Sequence, residues 1–158
     1  MKNQDLKFMH LAMAKAQEGI RKGQAPFGAC IVRDNRVIAC EHNLVWKSNN
    51  IIAHAEMVAI AAACKALDRI DLSGCTIYST CEPCPMCFSA CHWARISRIV
   101  FGCAIKDAQE FGFNEMAVSN LKLKKIIKSK IKITAMLAVE ENIGLFKFWR
   151  THSSAKVY

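Results

Sequence analysis

Two short motifs, His54-Ala55-Glu56 and Cys81-Glu82-Pro83-Cys84-Pro85-Met86-Cys87, constrain this chain more than anything else in it. Positions i and i+2 do not share a face inside a helix. His54 and Glu56 can therefore serve one site only if a helix starts there and points its first turn at that site. Ser48, Asn49 and Asn50 just upstream are residues suited to begin such a helix. Pro83 and Pro85 are poorly tolerated in a helix interior, but proline fits the first turn. Cys84 and Cys87 should then also lie at a helix start, where i and i+3 share a face. The motifs predict two helix N-termini aimed at one point, an electropositive arrangement that favours thiolates, the metal-binding form of cysteine.

His54, Cys84 and Cys87 give three protein ligands for zinc. Structural zinc sites usually have four, whereas catalytic sites have three and keep a position open. Cys81 and His92 are the nearest candidates for a fourth, and either would turn the site structural. Glu56, two residues from a ligand, is placed to take a proton from water and deliver it to a substrate. Its alternative is a solvated carboxylate beside a structural metal.

The rest of the sequence bounds the setting. With 158 residues the chain suits one domain that buries roughly 70% of its unfolded surface. No apolar run approaches the ~20 residues needed to span a bilayer, and the polar start Met1 to Lys7 lacks an apolar signal segment. A soluble cytoplasmic protein without membrane association is the expectation. The nine cysteines are odd in number, which argues against a disulfide framework. Cys30, Cys40, Cys64, Cys75, Cys91 and Cys103 read as small buried hydrophobes. Much of the net charge of +9 lies in Leu121 to Lys132, read as the solvated face of a helix and then a strand, with a nucleic-acid patch as the alternative.

Periodicity predicts an amphipathic helix from about Asp5 to Lys22 and strands Phe27 to Arg33 and Arg36 to Glu41, joined by the turn pair Asp34-Asn35. A buried helix follows over His54 to Leu67, then a strand Thr76 to Thr80, a helix Cys84 to Arg95 and a strand Arg98 to Cys103. Residues near Ala108 to Asn120 read as irregular or short helix, Ile131 to Val139 as a strand and Glu141 to Arg150 as a helix. Alternating strands and helices imply a layered α/β domain.

H-x-E followed by P-C-x-x-C is the zinc deaminase signature. The chain resembles the cytidine deaminase-like superfamily, and within it the bacterial guanine deaminases. The resemblance includes Ala25-Pro26-Phe27-Gly28-Ala29, the Asn43 region, both zinc motifs, Trp93-Ala94-Arg95, Phe111-Gly112-Phe113, Phe148-Trp149-Arg150 and Tyr158, so it covers nearly the whole chain. It implies a three-layer α/β/α sandwich with a mixed five-stranded sheet, one Zn2+ per chain, and hydrolysis of guanine at C2 to xanthine and ammonia. It further implies that Asn43 bonds the base edge, that Phe27 and Trp93 are pocket aromatics, and that the Ala55 amide holds the carbonyl side of the ring. The segment from about 140 to 158 would close over the site, with Tyr158 in the lid, in some members from a partner subunit. One departure is Glu115, where guanine deaminases carry aspartate; a catalytic carboxylate is kept, one methylene longer, and guanosine or another aminated ring becomes a candidate substrate.

Each pocket residue also has a plainer reading: Phe27 as core, Trp93 as packing against the sheet, Asn43 as a turn residue, Glu115 as a solvated or capping carboxylate, Tyr158 as a frayed terminus. His10, His42 and His152 have no assigned chemistry. A tRNA adenosine (wobble) deaminase would share His54, Glu56, Cys84 and Cys87 and could use the basic balance on phosphates, but a closing lid would obstruct a polynucleotide. A non-catalytic zinc scaffold would need a closed four-ligand site. The family implies a homodimer, with the tail exchanged or not, and the apolar segment Ile143 to Trp149 serves either an interface or its own core.

Overall fold

A computed structural model describes residues 2–152, 154 and 156–158. The first helix, α1 (Lys2–Arg21), is followed by the hairpin β1 (Gly28–Arg33) and β2 (Arg36–His42). Asp34 and Asn35 carry φ of 48° and 59°, the left-handed pair that a two-residue hairpin turn needs. Next come one helical turn, α2 (Val45–Ser48), helix α3 (Ala55–Leu67), strand β3 (Thr76–Cys81), helix α4 (Pro85–Trp93) and strand β4 (Arg98–Cys103). The chain finishes with α5 (Ile105–Glu110), α6 (Asn120–Ile126), the short strand β5 (Lys132–Thr134) and α7 (Val139–His152).

The five strands form one mixed sheet in the order β2-β1-β3-β4-β5. β1 runs antiparallel to β2 and β3, whereas β3, β4 and β5 are mutually parallel. Alternation splits the strand side chains between two faces. Cys30, Val32, Tyr78 and Val100 pack with Phe8, Met9, Ala12 and Met13 of α1 and Leu145 of α7. Ile31, Ile77 and Ile99 pack with Ala55, Ala59 and Ala63 of α3 and Phe88 and Cys91 of α4. The result is the expected three-layer sandwich of the cytidine deaminase-like fold. Gly28 lets α1 lie directly on β1, because a Cβ there would strike the carbonyl of Ala12 and the amide of Ala16.

The structure departs from the sequence reading at the entry to α3 and at the last strand, and it answers one question left open. Ser48, Asn49 and Asn50 do not begin α3; Ser48 ends α2, Asn49 caps it at φ 48°, and Asn50 Oδ1 accepts the Ile52 amide. The last strand is confined to Lys132–Thr134, because Met136 and Ala138, at φ 61° and 54°, turn the chain out of the extended region. Leu145, Phe146 and Trp149 of α7 are buried in the chain's own core, which resolves the choice left open for that apolar segment.

Candidate active site

β1 and β3, together with the N-termini of α3 and α4, frame the site. His54 and Cys84 are the N-cap residues of α3 and α4, both in extended backbone (φ −63°, ψ 154° and φ −60°, ψ 166°). An N-cap side chain ordinarily accepts a hydrogen bond from its own first turn; neither of these does, which leaves each turned towards the other. Pro85 opens the first helical turn of α4, and Cys87, three residues after Cys84, closes that turn.

His54 Nδ1 lies 3.7 Å from Cys84 Sγ and 3.7 Å from Cys87 Sγ, and all three ligand atoms lie within 4.8 Å of one another. A tetrahedron with Zn–S of about 2.3 Å and Zn–N of about 2.0 Å has N···S edges of ~3.5 Å, so this donor set fits zinc. Neither candidate fourth ligand joins it. The Cys81 thiol donates to the Ala104 carbonyl at 3.6 Å, and His92 pairs with Ser129 Oγ at 3.4 Å, at the far end of α4. The arrangement has the three-donor form of a catalytic centre rather than a closed structural one.

Electrostatics within the trio follow from crowding. The Cys87 thiol hydrogen-bonds Cys84 and, with His54, pulls the Cys84 thiol down to about 4 against the effect of burial. The same contact with Cys84, together with burial, moves the Cys87 thiol up. Burial would lower His54, but Cys84, Glu56 and Glu115 around it outweigh burial and raise it.

Glu56, in the first turn of α3, is buried beside the trio, and its burial raises its pKa. Ser79 Oγ donates to Glu56 Oε1 at 2.8 Å, and the Cys87 thiol approaches Oε2 at 3.5 Å. Sequence reasoning missed Ser79. A signal was available: Ile77, Ser79 and Cys81 share one face of β3, the face towards α3, and Ser79 is the polar member of that row.

The remaining residues divide. Phe27 is both wall and core: it lines the pocket beside Glu56 and meets Phe113 edge-on at 4.9 Å between ring centroids. Glu115 lines the same pocket, and burial, reinforced by the negative Cys84, pushes its carboxyl up to about 7. Asn43 is fully buried; its Oδ1 accepts the Val45 amide at 3.1 Å and its Nδ2 donates to the Tyr158 hydroxyl at 2.6 Å. Ala55 is the first residue of α3, so its amide has no partner within the helix. Trp93 lies apart from the pocket of its own chain. It closes α4, ~12 Å along the helix from Pro85 at 1.5 Å per residue, is 83% exposed, and neither lines the pocket nor packs against the sheet.

The tail crosses its own chain's site. The Tyr158 ring lies 5.5 Å from His54 and 5.6 Å from Phe113, and Trp46 Nε1 anchors the segment on the Lys156 carbonyl at 3.1 Å. Tyr158, Met86, Asn114 and Met116 line an outer pocket of about 250 Å³. The inner pocket, between Phe27, Glu56 and Glu115, has about 10 Å³, room for roughly one water.

With this geometry in view, the comparisons are decisive. Residues 2–103 match the family model for the cytidine and deoxycytidylate deaminase zinc-binding region. The chain belongs to this family. Among its curated members, the guanine deaminase of Bacillus subtilis (strain 168) is 36% identical over 152 residues, 96% of this chain and 97% of the relative. The tRNA-specific adenosine deaminase of the same organism is 44% identical over 99 residues, 63% of this chain and 62% of that enzyme. A solved tRNA:A34 deaminase, 32% identical, superposes with a TM-score of 0.78 and covers 89% of this chain and 99% of its own. This zinc deaminase family thus accounts for the donor trio, the adjacent glutamate and the mixed sheet together.

Proposed function

We propose that the protein is a zinc-dependent guanine deaminase that converts guanine and water to xanthine and ammonia. One observation carries this reading: similarity to a guanine deaminase runs through 96% of the chain, whereas similarity to the curated tRNA deaminase of the same organism spans 63% of it. The position of Tyr158 over His54 supports it, because a tail across the mouth suits a small base better than a polynucleotide.

In this reading His54, Cys84 and Cys87 hold one zinc per chain. When bound, zinc lowers the pKa of water near ~7 and polarises the electrophile. Glu56 takes one proton from the attacking water and gives it to the ring nitrogen, then takes the second proton from the oxygen now bonded to carbon and gives it to the amine, which leaves as ammonia; one C–O bond is formed and one C–N bond is broken. Ser79 holds the Glu56 carboxylate in place. Asn43 and the Ala55 amide orient the base, Phe27 supplies an apolar wall, and Glu115 accepts from the purine edge or shuttles a proton. The chain acts as one domain; within the segment from about 140 to 158, α7 belongs to the core and the end that carries Tyr158 serves as lid. The absence of a membrane-crossing helix among the described residues fits a cytoplasmic setting, and a homodimer is the assembly we infer.

A second reading, a tRNA adenosine deaminase, draws on the 44% local identity and the TM-score of 0.78. Ammonia release from guanine, guanosine, adenine, cytosine and a tRNA anticodon stem-loop, measured side by side with the zinc-loaded protein, separates the readings. Release from guanine and not from the RNA is the expected result. Release from the RNA alone would overturn the proposal, and zinc binding without turnover on any base would favour a scaffold.

A further inference from the structure

At the other end of α4 from the zinc donors lies a groove of about 680 Å³, lined by Arg95, Lys128, Lys130, Lys132, His92 and Ser129 among others. This is within the ~300–1,000 Å³ typical of small-molecule sites. Its cations come from two separated stretches of chain, the loop just after α4 (Arg95) and the stretch from the end of α6 to the start of β5 (Lys128, Lys130 and Lys132). Among the described residues no carboxylate lines it.

Backbone contacts give the groove a defined shape. The Lys132 amide donates to the Ser97 carbonyl at 3.0 Å, the Ser129 amide to the Lys124 carbonyl at 3.0 Å, and the Ile131 amide to Ser129 Oγ at 3.3 Å. Arg95 and Lys128 hold left-handed backbone, φ 58° and 53°, a conformation that glycine or asparagine adopts at lower cost. Arg95 pairs with Asp71 at 3.1 Å; among the described residues Lys128, Lys130 and Lys132 have no ion-pair partner. Like charges gathered around one concavity repel, and an anion of several charges relieves that repulsion.

We propose that this groove is a binding site for a small polyphosphorylated ligand, distinct from the zinc centre. Lysines and Arg95 take the phosphate oxygens as charge-assisted donors, and the Ser73, Ser97 and Ser129 hydroxyls line the same space. The lysines and Arg95 offset most of the negative charge of a tripolyphosphate chain, and the volume suits a ligand of nucleotide size.

The test is equilibrium binding of inorganic tripolyphosphate and of ATP, each with equimolar magnesium, to the zinc-loaded protein and to Lys128→Glu/Lys130→Glu. Saturable binding that weakens at least about tenfold in the variant, and weakens with added salt, is expected, with an unchanged melting temperature as the folding control. Equal affinity for the two ligands supports a site that reads the phosphate chain alone, and tighter ATP binding supports one that also reads the nucleoside. Absence of saturable binding, or binding that ignores the double substitution, overturns the proposal. So does a stem-loop RNA that binds where neither small ligand does.

Discussion

Asn43 spends its side-chain N–H on the hydroxyl of Tyr158, at 2.6 Å, while its oxygen accepts the Val45 amide. Both ends of a fully buried amide are therefore satisfied within the chain before any base arrives. A base that takes the Asn43 N–H now given to Tyr158 must displace the Tyr158 hydroxyl, and an inner pocket of about 10 Å³ must enlarge to admit it.

Tyr158→Phe removes that competitor and keeps the ring against His54 and Phe113. A net hydrogen bond of about 1 kcal/mol no longer has to be broken, so KM for guanine is expected to fall about two- to tenfold with kcat little changed. Steady-state kinetics check this. A rise in KM would mean that the hydroxyl itself bonds the base in the closed complex.

Glu56→Gln preserves the shape of the buried side chain and its place beside Ser79 Oγ while removing the proton carrier. Zinc content, measured on the purified protein by metal analysis, should be unchanged, and kcat should drop by roughly 10²–10⁴. A fully active Glu56→Gln enzyme would defeat the proposed mechanism.

Ser79→Ala leaves Glu56 Oε1 without its partner in a buried setting. The expected outcome is a loss of about 1–3 kcal/mol of stability and a fall in kcat that exceeds any change in KM, with activity restored in Ser79→Thr. If Ser79→Ala loses stability but turns over normally, Ser79 serves only the fold.

Chelation of the metal, or Cys84→Ala, removes what the three converging donors share. Both should abolish ammonia release and lower the melting temperature, since metal binding free energy contributes to folding. Calorimetry with and without added zinc measures the effect.

Acid stability should depend on a pair remote from the site. Burial alone would raise the Asp5 carboxyl, but hydrogen bonds from Arg98, at 2.9 and 2.8 Å, and from Tyr78, at 2.7 Å, hold it below its ordinary value. A folded-state pKa below the unfolded one contributes stability that is complete above about pH 4 and is lost as pH falls through the folded value. Asp5→Asn should therefore cost about 1–3 kcal/mol at neutral pH and flatten the acid limb below pH ~4. Urea unfolding at a series of pH values reads both effects.

The gathering of His54, Cys84 and Cys87 was legible because proline placement and residue spacing are local properties: Pro85 fixes where α4 begins, and that alone puts Cys84 and Cys87 on one face. The hairpin was legible for the same reason, through Asp34-Asn35. What could not be read depends on partners distant in sequence. Ser79 reaches Glu56 across 23 positions, and Asn43 reaches Tyr158 across 115. Nor could the place of Trp93 be read, because a large aromatic next to a site motif looks the same in sequence whether the helix turns it inward or carries it to the far end. The strand expected to reach Val139 ends at Thr134 because left-handed residues other than glycine, Met136 and Ala138, leave no compositional mark.

That His54 and Cys84 are both the residues immediately preceding a helix has a consequence for how this protein can tolerate change. Each helical residue advances the chain by about 100° of rotation. One residue inserted between His54 and Glu56, or between Cys84 and Cys87, would swing the second member of either pair out of the cluster. The same insertion past the ends of α3 or α4, in the loops before β3 or β4, leaves the donors where they are. Length variation in this chain should therefore be absent from the first turns of these helices and free to accumulate at their far ends.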